Sequence, residues 1–432
     1  MTQINTLTVN GTAYALADTQ AREALEALKA DSAIVAEAVG ENITIGDGSG
    51  EALRITNLYG KTAQAGAPTP ESPIPVVSAG DNDGISVFAM GKNLIPFPYT
   101  GGSRMEKNGL TFEVQEDGAI IINGTATADT AYNIGGEQTL AHLRVGETYT
   151  ISGCPKGGSS TTFRLSYQGN NSSANEYGDG KTFTIVDNST RNRIFLTVYS
   201  GYTANNLVFR PQLELGSAAT AFETPLPVQS GALGGVVLRG MPFSTGNYAD
   251  SSGVKWVADE IDAHRKKIIR SVGFAACDGT EKWSLYSANT FCREFENRAI
   301  TRTNCLCSHF YLENVSTLVN HGSMVGGGNN TRIYFRHNGL TTVEQWKAWL
   351  AEQASAGTPL TITYGLAEPA EEALSEAGAA ALEGLHTYKP HTQITSPAGV
   401  GIRVTYTADT KAYIDNKFAA LQNAILASGA NI

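Results

Sequence analysis

The chain has 432 residues with 31 basic and 41 acidic side chains, a formal net charge of −10 that disfavours binding to a nucleic-acid backbone. Only 17% of the residues are charged and 46 are glycine, a composition typical of a mainly β protein with a polar surface. Because no apolar stretch is long enough to cross a bilayer and the first residues lack a signal-peptide pattern, we expect cytoplasmic synthesis without membrane insertion.

Residues 1–45 are predicted to form a short strand and then an oligomerising helix. Asp18 or Thr19 would cap this helix and Gly40 would end it. Its apolar positions follow a narrow stripe that is typical of a coiled-coil seam. The seam comprises Ala21, Leu25, Leu28, Val35 and Val39, of which we take Leu25, Leu28 and Val35 as oligomerisation residues.

Residues 46–91 predict strands at 53–59 and 85–88, separated by a proline-dense, extended connector over 65–75. Residues 92–224 contain short alternating strands punctuated by Gly and Asn, which predict a β-sandwich.

Residues 225–370 mix strand patterns with one helix. Thr341 would cap this helix with Glu344 three residues on, and Val343, Trp346 and Leu350 would form its apolar face. A clear strand follows at 360–364.

The chain is predicted to end with a linker and strand over 371–408 and an oligomerising helix over 409–432. Apolar residues recur on one stripe of that helix: Ile414, Phe418, Leu421 and Ile425. Since neither terminal helix is long enough to be stable alone, the two would form a parallel homo-oligomer, or else pack on their own domain.

Patterns for catalysis or metal binding are weak. The five cysteines are odd in number and irregularly spaced, so we expect buried free thiols. Cys305, Cys307 and His309 alternate, which favours a thiol-lined core strand over a zinc site. Asp259, Glu260 and Asp262 are interpreted as a solvated acidic turn, because no carboxylate pair fits a glycoside hydrolase. We therefore expect no enzyme activity, no cofactor and no metal site.

Aromatic and amide residues converge in the Gly-rich sandwich, a pattern that suits glycan binding because sugar rings stack on aromatic faces while polar side chains bond the hydroxyls. The predicted glycan-binding residues are Tyr177, Tyr199, Tyr202, Asn205 and Arg164. The alternative for Tyr167 and Tyr199 is that they point into the core.

Several phrases, including Pro68-Thr-Pro-Glu-Ser-Pro and Gly91-Lys-Asn-Leu-Ile-Pro, resemble segments of minor structural proteins in tailed phages and prophages of Gram-positive bacteria. The resemblance implies a tail-tip, baseplate or tail-fibre protein in the virion, usually a homotrimer that contacts other tail or baseplate proteins. It also implies that the sandwich over 92–224 is a carbohydrate-binding module inserted in a discontinuous β-rich scaffold (46–91 plus 225–370).

The expected fold is therefore mainly β, with coiled-coil-like helices at both ends, and the expected ligand is a host cell-wall polysaccharide. A purely architectural baseplate or collar protein is the first alternative. A polysaccharide depolymerase is the second.

Overall fold

The structure, a computed structural model, describes residues 6–9, 12–15, 34–46, 48–136, 139–187, 191–299, 304–326, 331–389 and 391–408. This part of the chain is mainly β. The first strands are β1 Thr6–Val9, β2 Thr12–Ala15, β3 Ile34–Gly40, β4 Asn42–Gly46, β5 Gly48–Tyr59, β6 Thr62–Ala63, β7 Val77–Ser78 and β8 Ile85–Met90.

The next strands build the sandwich. They are β9 Arg104–Lys107, β10 Leu110–Val114, β11 Ile120–Thr125, β12 Thr130–Gly135, β13 Thr148–Ser152, β14 Phe163–Gly169, β15 Ser173–Glu176, β16 Lys181–Thr184, β17 Asn192–Val198, β18 Thr203–Phe209 and β19 Gln212–Leu215.

The remaining elements include the helices. They are β20 Gln229–Leu233, β21 Gly240–Pro242, β22 Tyr248–Ala249, β23 Lys255–Ala258, β24 Glu260–Asp262, β25 Lys267–Cys277, β26 Ser284–Ser287, β27 Thr290–Glu294, β28 Cys305–Cys307, β29 Tyr311–Leu312, β30 Ser323–Gly326, β31 Arg332–Arg336, α1 Val343–Ser355, β32 Leu360–Ala373, α2 Glu376–Glu383, β33 His391–Thr395 and β34 Gly401–Ala408. Neither described helix is long and apolar enough to cross a bilayer.

The sandwich has its own hydrophobic core. One sheet has the order β18-β11-β10-β9, and a second has the order β12-β17-β14-β15 beside the short sheet β16-β13-β19. Phe112 of the first sheet stacks on Tyr132 of the second, with ring centroids 5.6 Å apart. Ile120, Leu165 and Leu196 are fully buried between the sheets, as alternation along half-buried strands requires.

The sandwich is inserted between two paired strands of another unit. β8 precedes it and β20 follows it, and these strands pair in antiparallel register from Gln229↔Ala89 to Leu233↔Ile85. Where the chain enters and leaves the sandwich, Lys92 Nζ lies 3.4 Å from a Glu223 carboxylate oxygen. The sandwich therefore projects from a single, closely spaced pair of connections.

A second core, the scaffold core, lies between the sheet β20-β8-β33-β4 and the large sheet β28-β32-β25-β24-β5-β34-β3. Helix α2 adds Leu382 to this core, and Leu58 and Ile402 are fully buried in it. Residues 371–408, expected to be a linker and a strand, supply α2, β33 and β34 and so form part of the scaffold.

A third core lies under the sheet β26-β27-β31-β30-β29. Trp346 of α1 is fully buried there and stacks on Phe291 with ring centroids 4.8 Å apart. The paired strands β25 and β32 run from the scaffold core, at Lys267↔Ala373, to this third core, at Cys277↔Leu360.

The helix predicted near residue 341 is present, but Thr342 caps it instead of Thr341. The Thr342 hydroxyl accepts the backbone N–H of Gln345, and the Gln345 side chain accepts the Thr342 N–H, which is a capping box shifted by one residue from the prediction. Trp346 and Leu350 form its buried face as predicted.

The coiled-coil prediction for the N-terminal flank is wrong for residues 34–40. Residues 34–40 form β3, which pairs with β34 from Ile34↔Ala408 to Gly40↔Ile402. Val35 is 70% exposed and Ala36 3%, so the segment alternates with the period of a strand, and pairing in the sheet overrides the helical pattern.

The other predicted oligomerisation residues, Leu25, Leu28, Ile414, Phe418, Leu421 and Ile425, lie outside the described residues.

Candidate functional site

The candidate site is the outer face of the sandwich sheet β12-β17-β14-β15. Phe163 and Leu165 of β14 and Ile194, Leu196 and Val198 of β17 are buried on its inner side. Because successive side chains on a strand point to opposite faces, the intervening residues point outward. Arg164, Gln168, Arg193, Phe195 and Tyr199 occupy this outer side, and we call it the arginine–aromatic face.

Arg164 and Tyr199 are in contact on this face, although 35 positions separate them in the chain. The register of β14 and β17 pairs Arg164 with Thr197, and the Tyr199 N–H donates to Thr162 O at 2.9 Å. The guanidinium carbon of Arg164 lies 5.5 Å from the centroid of the Tyr199 ring, within range of a cation–π contact. Among the described residues, Arg164 Nε is buried without a hydrogen-bond partner.

A second arginine–aromatic pair lies further along the same strands. The Arg193 guanidinium carbon is 4.9 Å from the Phe195 ring centroid, and Arg193 Nε donates to Gln168 Oε1 at 2.9 Å. Asn133 lies beside Phe195 in the β12–β17 register and is exposed. Within the described part of the chain, neither Arg164 nor Arg193 forms an ion pair with a carboxylate, so this face carries positive charge on an acidic protein.

The remaining predicted glycan-binding residues have different positions. Tyr177 is 36% exposed and directly follows β15. Because Glu176 pairs with Leu165, extending this antiparallel register by one residue sets Tyr177 beside Arg164. Tyr202 is half-buried, with its ring edge-on to Phe163 at 5.1 Å. Asn205 is exposed on β18, in the other sandwich sheet.

Sequence reasoning missed Arg193, Gln168 and Phe195 as members of the face. The alternation in Arg193-Ile-Phe-Leu-Thr was a usable signal, because it marks Arg193 and Phe195 as facing away from buried Ile194 and Leu196. Alternation along β14 likewise marks Gln168 as facing away from buried Tyr167, but only the register Gln168↔Arg193 shows that it lies beside Arg193. Tyr167, in contrast, is 1% exposed and belongs to the core.

The interpretation of Asp259, Glu260 and Asp262 as a solvated turn is wrong for Asp259, while Glu260 and Asp262 lie partly exposed on β24. Asp259 is fully buried, and its carboxylate accepts the N–H groups of Arg239, Ser271 and Val272 at 2.9 to 3.1 Å. Burial raises the pKa of Asp259 despite these bonds and the nearby Arg270 guanidinium. Asp259 thus joins β23 and β24 to β25.

The Cys305–Cys307 strand lies in the third core as predicted, and all five cysteines are buried free thiols. Burial raises the pKa of Cys305 to about 11 and that of Cys307 to about 12, so both stay protonated at neutral pH.

A separate cleft of about 680 Å³ lies on the scaffold, away from the sandwich. Its walls come from β5, the β24–β25 connection and the end of α2, and they include Leu53, Ile55, His264, Leu385 and His386. Among the described residues that line the cleft there is no Phe, Tyr or Trp.

Comparison of the chain with models of protein families, with curated proteins and with solved structures gave no match.

Proposed function

We propose that this protein is a phage tail component, at the tail tip, baseplate or fibre, whose inserted sandwich binds an acidic polysaccharide of the host surface. The sequence resemblance supports the tail assignment, and the arginine–aromatic face supports the ligand class. A homotrimer would present three such faces to a repetitive polymer and gain strength through avidity.

The insertion geometry supports a recognition role for the sandwich. The flanking strands β8 and β20 pair directly, as in an uninterrupted hairpin, and Asn93 Nδ2 donates to Glu223 O at 3.0 Å across the base of the insert. A unit held in this way can change its outer surface without disturbing the scaffold core.

The arginine–aromatic face carries the proposal. The rings of Tyr199 and Phe195 offer stacking surfaces for sugar C–H faces, and Gln168 and Asn133 offer amide groups for hydroxyls. The guanidinium groups of Arg164 and Arg193, which form no ion pair with a carboxylate of the described residues, would bind carboxylate or phosphate on the glycan, because such charge-assisted bonds are the strongest available to a polar face. Neutral glycans would lack this last contribution.

The test measures binding of the full-length protein to host wall polysaccharides with and without acid groups. We expect Arg164→Ala and Tyr199→Ala each to weaken binding of the acidic polymer about tenfold, equivalent to about 1.4 kcal/mol per site. Arg104→Ala is the matched control, because Arg104 is an exposed arginine on β9 of the other sandwich sheet. Equal losses in all three variants would contradict the assignment of the face.

The architectural alternative has one specific observation in its favour. β3 is an edge strand of the large sheet, with Val35 70% exposed and Val39 46% exposed, and an apolar strand edge is a suitable surface for another chain. If the intact protein binds no host fraction, this alternative replaces the receptor-binding proposal. Release of reducing ends from a bound polysaccharide would instead favour the depolymerase.

A further inference from the structure

The proline-dense connector is hydrogen-bonded at several points to the part of the chain that forms the third core, which we call the third unit. Gln64 Nε2 donates to Cys307 O at 2.8 Å, and the Ile74 N–H donates to Ser308 O at 2.8 Å. Between these points Thr69 and Ser72 exchange backbone hydrogen bonds at 3.1 Å, which closes a turn with Pro70 at the position that favours proline. This turn holds Glu71 out toward the third unit.

Glu71 meets two histidines there. The Glu71 carboxylate, His321 and His337 each offer one metal-ligating atom, and these atoms lie within 4.8 Å of one another. His321 Nε2 is 2.7 Å from Glu71 Oε1, and the His321 and His337 rings are 4.8 Å apart and nearly perpendicular. The cluster therefore gathers two imidazole nitrogens and one carboxylate oxygen in one small region.

One ring nitrogen of His337 has no hydrogen-bond partner among the described residues. Its side chain is only 9% exposed, and within the described residues its Nδ1 is buried without a hydrogen-bond partner. An unsatisfied buried nitrogen is costly in a native structure and calls for a bound water or ion.

We propose that Glu71, His321 and His337 form a binding site for a divalent transition metal, with Zn²⁺ the best match. Two imidazole nitrogens and one carboxylate oxygen are a common zinc donor set, and water would complete the tetrahedron. Ligand atoms of a tetrahedral zinc lie about 3.3 Å apart. The widest spacing in the cluster is at most 4.8 Å and would contract by up to about 1.5 Å, whereas the 2.7 Å between His321 Nε2 and Glu71 Oε1 would widen slightly. Rotation of the exposed Glu71 side chain can supply part of this adjustment.

Metal binding would also change the hydrogen bonding of His321. At present its Nδ1 accepts the Asn338 N–H at 3.1 Å while Nε2 faces Glu71. Coordination through Nε2 moves the ring proton to Nδ1, which releases the Asn338 N–H to solvent at this exposed turn. The ion would then join the connector to the β30–β31 unit across 250 residues of sequence, and its role would be to fasten the connector in place.

The first test measures zinc binding by the full-length protein. The protein is first treated with a chelator to remove bound metal, and binding of added Zn²⁺ is then measured by calorimetry and metal analysis. We expect one Zn²⁺ per chain with micromolar or tighter affinity. His337→Ala should abolish this binding, and Glu71→Gln should weaken it at least tenfold. His264→Ala is the control, because His264 is exposed on the β24–β25 connection and should leave binding unchanged.

A loss of zinc binding in Glu71→Gln cannot be attributed to misfolding, because Glu71 is exposed and its replacement disturbs no core. Substitution with Co²⁺ identifies the ligands, because thiolate coordination gives charge-transfer bands that nitrogen and oxygen ligands lack. Retained stoichiometric binding in Glu71→Gln and His337→Ala, thiolate bands, or no zinc binding by the wild type would each overturn the proposal. Protection of residues 64–76 from proteolysis by zinc, lost in Glu71→Gln, would support the fastening role.

Discussion

At the residue scale, a few buried polar groups determine how loops are attached to the cores. Asp259 accepts the backbone N–H groups of three residues, Arg239 and the adjacent Ser271 and Val272, and so orients β25 against the preceding strands. His142 lies in the sandwich core, where its Nε2 is 2.9 Å from Leu94 O. This bond ties the loop between β12 and β13 to the first residues of the insert, and in it Nε2–H donates to the Leu94 carbonyl.

His142 therefore makes the stability of the sandwich depend on pH. Burial lowers the pKa of His142 from 6.5 to about 4, so the unfolded chain takes up a proton first as the pH falls. The free energy of unfolding is therefore highest above pH 6.5 and falls progressively down to about pH 4. At pH 5 the loss is about 2 kcal/mol.

The measurement is calorimetric unfolding of the wild type and of His142→Gln near pH 7 and near pH 5. Glutamine can donate to Leu94 O but does not titrate, so we expect the difference in Tm between the two proteins to shift in favour of the variant at the lower pH. A difference that is independent of pH would show that His142 is not buried as described.

At the element scale, the important joint is the base of the inserted sandwich. Asn93 spans it: Nδ2 donates to Pro211 O and Glu223 O at 3.0 Å, while Oδ1 accepts the N–H groups of Ile95 and Leu213 at 3.2 Å. Asn93 is 2% exposed. One side chain thus holds together the strands by which the chain enters and leaves the insert.

Asn93→Ala should loosen this joint. It leaves several buried backbone groups without partners, at about 1 to 3 kcal/mol for each group that water cannot reach, so we expect a total loss of about 3 kcal/mol. Amide hydrogen exchange should accelerate in β19 and in residues 93–95 more than in β25. The control is Asn205→Ala, because Asn205 is an exposed asparagine on β18. Equal exchange in the two variants would mean that Asn93 is not the clamp.

At the scale of the whole molecule, the chain has separate cores joined by paired strands. The sandwich core draws on residues 90–213, and the scaffold core draws on residues before and after it. Because β8 and β20 pair directly across the insert, the scaffold does not need the sandwich to close its sheet.

Removal of residues 92–223, with a short Gly-Ser bridge in their place, should leave a soluble and folded remainder. All four tryptophans, Trp256, Trp283, Trp346 and Trp349, lie outside the insert, so the near-ultraviolet circular dichroism of the tryptophans should be retained. Aggregation of the shortened protein, or loss of that signal, would show that the sandwich and the scaffold fold as one unit.

Local patterns in the sequence were sufficient for the mainly β class and for many individual elements. Strands β5, β10, β14 and β34 were visible as alternation of apolar and polar residues, and α1 as an apolar stripe after a capping threonine. These features succeed because each is encoded within a few consecutive residues. The one-residue error at Thr342 reflects two adjacent threonines that are equally suited to cap.

Tertiary structure alone decided the features that depend on register and long-range pairing. The segment around Val35 has a helical pattern but pairs with β34, more than 360 residues away, because sheet hydrogen bonds outweigh a weak local preference. The Arg164–Tyr199 contact depends on the β14–β17 register, and Glu71 meets His321 and His337 only when the connector docks. Sequence spacing carries no information on these contacts, since residues 35 to more than 360 positions apart become neighbours only through the packed sheets.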